Sequence, residues 1–259
     1  MDLKKVRHKA IFNWSGGKDS ALCLYRVLEA NAYAIEYLLT SVNTRFQRVS
    51  MHGVREALLE QQAESIGIPL MKLMVPEMPS MESYDNLMAQ TLRQLKKEGI
   101  AYSIFGDIFL EDLRQYREER LAQVGLKGIF PIWKIPTDQL IQEFIELGFK
   151  AVLVCVNDRY LDKSFAGREI DKAFLKDLPK NVDPCGENGE YHSFVYAGPI
   201  FQKPIAFEKG EVVYRNYKSS QDPSSAQQGT ACPPSQNVDT GFWYCDLIPV
   251  AEHIHARND

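Results

Sequence analysis

The stretch Asn13-Trp14-Ser15-Gly16-Gly17-Lys18-Asp19-Ser20 decides the fold of this 259-residue chain. It follows the apolar run Ala10-Ile11-Phe12, which predicts a short buried strand. From Ser20 onward, apolar side chains recur at helical spacing and predict a helix. A strand that turns through two glycines into a helix presents backbone N–H groups and the positive end of the helix dipole. The stretch therefore predicts a phosphate-binding loop formed by Ser15, Gly16, Gly17, Lys18 and Ser20.

Two common phosphate loops do not fit this stretch. A Walker A loop needs a glycine five positions before Gly17 and a Ser or Thr after the lysine, where this chain has Phe12 and Asp19. The dinucleotide fingerprint fails because no third glycine follows at the required spacing. The sequence Ser-Gly-Gly-Lys-Asp-Ser instead resembles the PP-loop of ATP pyrophosphatases, which split ATP into AMP and pyrophosphate.

The PP-loop resemblance implies ATP as a ligand and gives roles to two charged residues. Lys18 is expected to stabilise the negative charge that develops on the leaving pyrophosphate. Asp19 is expected either to hold Mg²⁺ or to stabilise the start of the helix, since both roles suit an acidic group at that position.

Composition favours an enzyme with a sizeable core. The formal net charge is −4, from 30 basic and 34 acidic residues, and a dedicated nucleic-acid surface is usually basic. The five cysteines are an odd number without a C-x-x-C pair, which is typical of a reduced, cytoplasmic protein. The first apolar run is too short for a signal sequence, and no run reaches the length of a membrane span.

Strands and helices alternate along the first two thirds of the chain. Further strands are predicted over 35–42, 70–75, 101–105 and 151–156, and helices over 54–66, 83–97, 113–124 and 137–147, with a short apolar segment at 128–130. This alternation predicts an α/β fold, a parallel twisted sheet of the PP-loop, Rossmann-type class with helices on both faces.

Ligands of such sheets bind outside the carboxyl ends of the strands. The phosphate loop, residues 40–43, Gly106-Asp107 and Asn157-Asp158 all follow predicted strands, so one crevice could gather them. Asp107 is there expected to bind magnesium, to orient a nucleophile or to cap the next helix. The charge-rich segment 111–120 is expected to be a solvated helix face, and Trp133 a core residue.

The carboxyl-terminal third differs in character. Short strands are predicted over 193–196, 204–208, 211–217 and 243–250, with a hairpin turn at Glu208-Lys209-Gly210-Glu211. The sequence thus predicts a PP-loop domain over 1–178 and a smaller, mixed β-rich region over 179–259. A polar segment within 219–240 is expected to form a mobile loop.

A second motif is Cys185-Gly186-Glu187-Asn188-Gly189-Glu190-Tyr191-His192-Ser193. Asn-Gly between two strands is a strong hairpin signal, and in a hairpin Glu187 and Glu190 would be solvated turn flanks. The alternative is that both carboxylates project from a tight turn to orient an amine or to accept a proton. The residues alone leave both interpretations open.

Together with the PP-loop, this motif resembles the diphthine–ammonia ligase family of N-type ATP pyrophosphatases, over roughly residues 8 to 200. Further matching segments are Met51-His52-Gly53-Val54, Gln61-Gln62-Ala63-Glu64, Gly67-Ile68-Pro69-Leu70, Phe105-Gly106-Asp107-Ile108 and Pro131-Ile132-Trp133. Family members typically have Glu-Gly-Gly-Glu where this chain has Glu187-Asn188-Gly189-Glu190. Asn tolerates the positive φ that the turn needs. His192 is a second departure, because the eukaryotic and archaeal enzymes tend to have an acidic residue there.

The resemblance implies ATP-dependent amidation. A substrate carboxylate is adenylated, and ammonia then displaces AMP; in the family the acceptor is the diphthine side chain of elongation factor 2. It further implies that Lys18, Asp107, Glu187 and Glu190 are catalytic, with the two glutamates positioning ammonia or the acceptor, and that His52 lies near the nucleotide. The expected partners are ATP, ammonia and a carboxylate carried by a protein or a metabolite, without membrane or nucleic acid. The sequence is compatible with a homo-oligomer.

Two other functions fit the sequence. One is a different adenylating PP-loop enzyme that acts on tRNA or on a small molecule, although sulfur-transferring members generally need paired cysteines. The other is a regulatory module that binds a nucleotide without turnover. A sensor has no need of groups aimed at a leaving phosphate, so Lys18 and Asp19 beside the acidic turn favour an enzyme.

Overall fold

The computed structural model describes residues 7–44, 48–49, 53–76, 80–217 and 240–250. The predictions for His52 and for the loop within 219–240, of which only Thr240 is described, fall outside these residues. Within the described ranges, no helix combines the length and apolar content that crossing a bilayer requires.

A parallel sheet forms the amino-terminal part of the molecule, and its five parallel strands are β1 (His8–Asn13), β2 (Tyr33–Asn43), β4 (Leu70–Val75), β5 (Tyr102–Ile104) and β6 (Lys127–Ile129). β1 lies between β2 and β5, β4 pairs with β2, and β6 pairs with β5. The two-residue strand β3 (Arg48–Val49) is antiparallel to the end of β2. The predicted α/β class with a parallel twisted sheet is confirmed.

In the described part of the chain, the helices that accompany this sheet are α1 (Lys18–Ala30), α2 (Glu56–Ile66), α3 (Met81–Lys97), α4 (Glu111–Val124) and α5 (Thr137–Glu146). All five agree with the predicted helices to within a few residues. Apolar residues of α3 and α4 form one core cluster with the sheet. Those of α1, α2 and α5 form another, which also includes residues of the second sheet. Helices thus cover both faces of the parallel sheet, as the alternation of elements predicts.

The second sheet is antiparallel and consists of β7 (Lys150–Asn157), β8 (Tyr191–Ala197), β9 (Phe207–Tyr217) and β10 (Thr240–Pro249), in the order β8-β7-β10-β9. Between β7 and β8 lie a 3-10 turn (Lys163–Phe165) and the short helix α6 (Lys172–Asp177). The β-rich character predicted for the carboxyl-terminal third is confirmed.

Three assignments differ from the sequence prediction. The strand predicted over 151–156 is β7, and it belongs to the antiparallel sheet; the fifth parallel strand is β6, at the segment described only as short and apolar. The hairpin predicted at Glu208–Glu211 does not form, because β9 runs without a break through Gly210. Asn188-Gly189 is not a hairpin turn either, since residues 178–190 contain no strand.

β7 comes before residue 178 in the chain but pairs with β8 and β10, which come after it. The second sheet therefore draws on residues from both sides of the predicted boundary. The division into 1–178 and 179–259 stays a prediction.

Candidate active site

The PP-loop connects β1 to α1 at the carboxyl end of the parallel strands. Gly16 has φ +78°, and a Cβ at this residue would lie 2.8 Å from Oε1 of Gln62. Gly17 precedes the first turn of α1, and no side chain caps this helix at Gly17. The first amides of a helix have no intrahelical acceptor, so the start of α1 offers donors to an anion.

Serine hydroxyl groups stabilise the loop through hydrogen bonds. Oγ of Ser15 and Oγ of Ser20 lie 3.0 Å apart, and the hydroxyl of Ser20 donates to the carbonyl of Gly17. The N–H of Lys18 donates to Oγ of Ser193 at 3.2 Å. Ser193 belongs to β8, so the second sheet directly contacts the start of α1.

Gln62 ties the loop to both sheets. Its side chain is fully buried; Nε2 donates to the carbonyls of Gly16 (3.1 Å) and Val195 (2.5 Å), and Oε1 accepts from the indole of Trp14 (2.9 Å). The N–H of Val195 also donates to the carbonyl of Gly16 at 2.9 Å. These bonds leave the buried polar groups around Gly16 satisfied and fix the loop backbone.

Lys18 is a buried cation whose charge is retained. Only 5% of its side chain is exposed, and Nζ lies 2.8 Å from Oδ2 of Asp19 and 5.1 Å from the ring centre of Tyr191. Burial by itself lowers the pKa of Lys18, but its anionic neighbours, Asp19 foremost, outweigh burial and raise the pKa well above the ordinary value. The ammonium therefore stays protonated at the point where the phosphates are expected.

Asp107 lies beside the helix start. Gly106 allows this approach, because a Cβ there would come within 3.2 Å of the backbone of Asp19 and Ser20. Arg117 of α4 forms an ion pair with Asp107, with Nε 3.2 Å from Oδ2, yet this N–H is not aligned for a hydrogen bond. Burial raises the pKa of Asp107, Arg117 lowers it, and the charge of Asp19 raises it further.

The segment 183–190 is a compact loop organised by two carboxylates. Oδ1 of Asp183 accepts from the N–H groups of Cys185 (2.8 Å) and Glu187 (3.3 Å), and Oδ2 accepts from the hydroxyl of Thr137 (2.7 Å). Glu190 is fully buried and accepts from the N–H groups of Asp183 (2.9 Å) and Asn188 (2.8 Å), and from the Asn188 side chain (3.1 Å). The bond to Thr137 connects the loop to α5, and the three bonds to Glu190 all lie within the loop, so Glu190 is not a solvated turn flank.

Glu187 differs from Glu190, because its carboxylate takes part in no hydrogen bond or ion pair with the residues that the structure describes. Burial raises its pKa from 4.5 to about 8, with contributions from the charges of Asp19, Asp183 and Asp107 against the opposing charge of Lys18. The structure thus brings Lys18, Asp19, Asp107 and Glu187 into one electrostatic cluster at the start of α1.

Models of one protein family match both parts of the chain. The diphthamide synthase N-terminal domain matches residues 8–128, and the diphthamide synthase C-terminal domain matches residues 136–222. The chain belongs to the diphthamide synthase family. The resemblance seen in the PP-loop and in the Glu187–Glu190 motif is thereby confirmed.

Two relatives within this family show the extent of the likeness. The chain is 26% identical to the diphthine–ammonia ligase of Danio rerio over 222 residues, which is 77% of this chain and 86% of that protein. It is 24% identical to the diphthine–ammonia ligase of Homo sapiens over 225 residues, which is 77% of this chain and 82% of that protein.

Among solved structures, the U34-tRNA thiolase NcsA from Methanococcus maripaludis is 20% identical to this chain, with a TM-score of 0.35. That match covers 57% of this chain and 59% of the thiolase. The family assignment comes from the two domain models.

Several residues of the site have roles that the sequence alone did not reveal. Gln62 and Ser193 fix the PP-loop, Asp183 and Glu190 fix the acidic loop, and Arg117 is the counterion of Asp107. One signal was available: Gln62 is a polar residue on the apolar face of α2, in line with Leu58 and Leu59. The other contacts depend on pairing between distant elements, which local sequence does not specify.

The residues of this family member fit a magnesium ion that arrives with ATP. Oδ2 of Asp107 is a buried oxygen that accepts no hydrogen bond from any residue that the structure describes, and 26% of the Asp19 side chain is exposed. Within the described ranges, no three His, Cys, Asp or Glu side chains form a complete metal cage. Mg²⁺ is normally bound by one or two carboxylates together with substrate phosphates, which is the donor set available here.

Proposed function

We propose that this protein is an ATP-dependent amide ligase that adenylates a carboxylate and then amidates it with ammonia. The observation that carries the proposal is the cluster at the start of α1. A buried, charged lysine lies at a helix N-terminus beside Glu187, a carboxylate whose hydrogen-bonding capacity no described residue uses. Phosphate binding and proton transfer are thereby available in one place.

The PP-loop accounts for the first half-reaction. The amides at the start of α1 and the hydroxyls of Ser15 and Ser20 bind the terminal phosphates, and Lys18 offsets the charge that builds up on them. An oxygen of the acceptor carboxylate attacks the α-phosphorus, and the bond from that phosphorus to pyrophosphate breaks. Mg²⁺ held by Asp19 and Asp107 supplies further charge neutralisation when it is bound with ATP.

Glu187 accounts for the second half-reaction. A general base works best when its pKa is close to the working pH, and the pKa of Glu187 is about 8. The ionised form of Glu187, which a pKa of about 8 makes available near and above neutral pH, accepts a proton from ammonium, and the resulting ammonia attacks the acyl carbon. The bond from that carbon to the AMP oxygen then breaks, and the proton that the attacking nitrogen loses passes to the phosphate of the leaving AMP, which leaves an amide and AMP.

Family membership supports diphthine on elongation factor 2 as the acceptor. Two relatives that align over most of their lengths are named diphthine–ammonia ligase. Asn188 and His192 depart from the family pattern without disturbing the site. Asn188 donates to Glu190 within the loop, and His192 lies in β8 opposite Cys155.

The test follows AMP formation from Mg·ATP, ammonium and elongation factor 2 that carries diphthine. Lys18→Ala is expected to lower AMP formation by about 100- to 1000-fold, the usual effect of removing one preorganised charge-stabilising group. Lys9→Ala is the matched control, because Lys9 lies in β1 at the start of the same strand–turn–helix unit and forms an exposed ion pair with Glu36.

Three results would contradict the proposal. They are equal AMP formation by Lys18→Ala and the wild type, ADP and phosphate as the products, and nucleotide binding without any turnover. The last result would favour a regulatory nucleotide-binding module. AMP formation that depends on tRNA and not on the factor would favour an RNA-modifying enzyme.

A further inference from the structure

Two arginines of α4 are stacked on an aromatic layer beside the phosphate site. The layer consists of Phe105, Phe130 and Trp133, with Phe105 and Phe130 stacked at 5.3 Å between ring centres. The guanidinium carbon of Arg117 lies 4.4 Å from the ring centre of Phe105. That of Arg114, one helical turn earlier, lies 4.8 Å from both Phe130 and Trp133. Trp133 is thus half-buried beneath a cation, and the prediction that it is a core residue is wrong.

Stacking fixes the orientation of these guanidinium groups but uses few of their donors. Nε of Arg114 donates to Glu118 at 2.9 Å, and Nε of Arg117 is the atom nearest to Asp107. The Nη groups of both arginines make no hydrogen bond with any residue in the described ranges. About a third of the Arg114 side chain is exposed, so these donors are accessible. A guanidinium with a fixed plane and free N–H groups matches the geometry of a carboxylate.

The pair lies at the edge of the phosphate site. Arg117 pairs with Asp107, and the preceding residue, Gly106, packs against the backbone of Asp19 and Ser20 in the first turn of α1. Arg114 stacks on Phe130 and Trp133, which follow the carboxyl end of the parallel strand β6, the same edge of the sheet at which the PP-loop follows β1.

An anionic substrate needs such cations at this edge. Asp19, Asp107 and Glu187 repel an incoming carboxylate when they are ionised, and the ammonium of Lys18 is already paired with Asp19. Among the described residues that contact the aromatic layer, Lys134 is also cationic, but its ammonium pairs with Glu111 at 3.1 Å. The free donors of Arg114 and Arg117 are therefore the groups that can offset this repulsion.

We infer that Arg114 and Arg117 bind the carboxylate of the acceptor and hold it beside the ATP phosphates. This inference rests on the proposed function and names the residues that select its substrate. Arg117 acts both on the carboxylate and on Asp107, whereas Arg114 acts on the carboxylate alone. Arg114 is therefore the residue whose replacement separates acceptor binding from nucleotide binding.

The experiment compares two forms of elongation factor 2 that differ in one group, the diphthine carboxylate or its amide. Binding to the ligase is measured by titration calorimetry with Mg²⁺ and a non-hydrolysable ATP analogue. The wild-type protein is expected to bind the carboxylate form about 10- to 100-fold more tightly, and Arg114→Gln to lose this preference. Arg114→Lys is expected to keep part of this preference, because a lysine retains the positive charge but lacks the planar pair of N–H donors of a guanidinium.

Arg120→Gln is the matched control. Arg120 lies on the same helix, but its guanidinium stacks on Tyr116 and pairs with Asp85 at 2.7 Å, and among the described residues it forms no cation–π contact with Phe105, Phe130 or Trp133. It is expected to retain the wild-type preference, and all variants are expected to bind the ATP analogue within about twofold of wild type. Unchanged thermal unfolding midpoints exclude a folding defect.

The inference is overturned if the wild-type protein binds the two forms equally or binds neither, or if Arg114→Gln keeps the preference. It is also overturned if Arg114→Gln and Arg120→Gln lose the preference alike. Because no turnover is needed, these outcomes are independent of AMP formation. Preferential binding of the carboxylate form without any AMP would support this inference and contradict the proposed function.

Discussion

Glu187→Gln is expected to stabilise the folded protein, and more strongly as the pH rises. The pKa of Glu187 is raised from 4.5 to about 8 in the fold, so the folded state keeps a proton that the unfolded state has lost. Where the folded state binds more protons, stability falls as the pH increases. The wild-type protein therefore loses stability between about pH 4.5 and pH 8, and glutamine removes this loss.

The magnitude follows from the size of the shift. Each pKa unit corresponds to about 1.36 kcal/mol, so the full shift limits the stability that Glu187→Gln can gain to about 5 kcal/mol at pH values above 8. Neighbouring carboxylates and solvent relax around the charge, and the expected gain is about 2 to 3 kcal/mol at pH 8.5. At pH 5 the side chain is neutral in the fold, and the gain is expected to be small.

The assay is urea unfolding of the nucleotide-free protein at pH 5, 7 and 8.5. Glu190→Gln is the control, because this neighbouring glutamate accepts three hydrogen bonds within the loop. It is expected to destabilise the protein by about 1 to 3 kcal/mol at pH 7. A Glu187→Gln protein that is less stable than wild type, or whose gain does not grow with pH, would refute the electrostatic cluster around Glu187.

Three further substitutions test the parts that surround this cluster. Gln62→Ala is expected to destabilise the protein by about 2 to 4 kcal/mol, because buried groups that include the carbonyl of Gly16 lose their hydrogen-bond partner. Chemical denaturation measures the resulting change in the free energy of unfolding. Gly106→Ala is expected to lower ATP affinity at least tenfold in equilibrium titrations, because the added Cβ would press on the backbone of Asp19; unchanged affinity would contradict the proposed packing. Asp107→Asn is expected to raise the Mg²⁺ concentration needed for half-maximal AMP formation severalfold, and an unchanged Mg²⁺ dependence would remove Asp107 from the metal site.

The sequence predicted the elements that depend on local pattern. The PP-loop, the helix that follows it and the strand over 70–75 all form as expected, because turn glycines and apolar periodicity act within a few residues. The helix α2 ends at Gly67, whose φ is +79°, as its glycine and the following proline predict.

Strand partners were harder to predict than strands. The segment 151–156 is almost wholly buried and apolar, a pattern typical of a parallel strand between two helical layers. Its actual partners, β8 and β10, follow it at a distance in the sequence, and no local signal marks that pairing. The strand β6 has only three residues, too few for periodicity to reveal.

The two glutamates of the second motif show the same limit within the site. Both glutamates were expected to position ammonia or the acceptor, and nothing in the sequence around them distinguishes their roles. In the fold, the carboxylate of Glu190 is used by its own loop, whereas that of Glu187 receives no hydrogen bond from the described residues. We therefore propose that Glu190 is a positioning residue and Glu187 the catalytic base. Only the loop geometry set by Asp183 distinguishes them.

Adenylation of the acceptor carboxylate is tested most directly by isotope transfer. Elongation factor 2 carrying diphthine with ¹⁸O in its carboxylate is incubated with the ligase, Mg·ATP and ¹⁵N-labelled ammonium. Mass spectrometry is then applied to the nucleotide and to the protein. The account predicts AMP that contains one ¹⁸O atom, unlabelled pyrophosphate and one ¹⁵N atom in the factor. ADP with ¹⁸O in inorganic phosphate, or AMP without ¹⁸O, would contradict it.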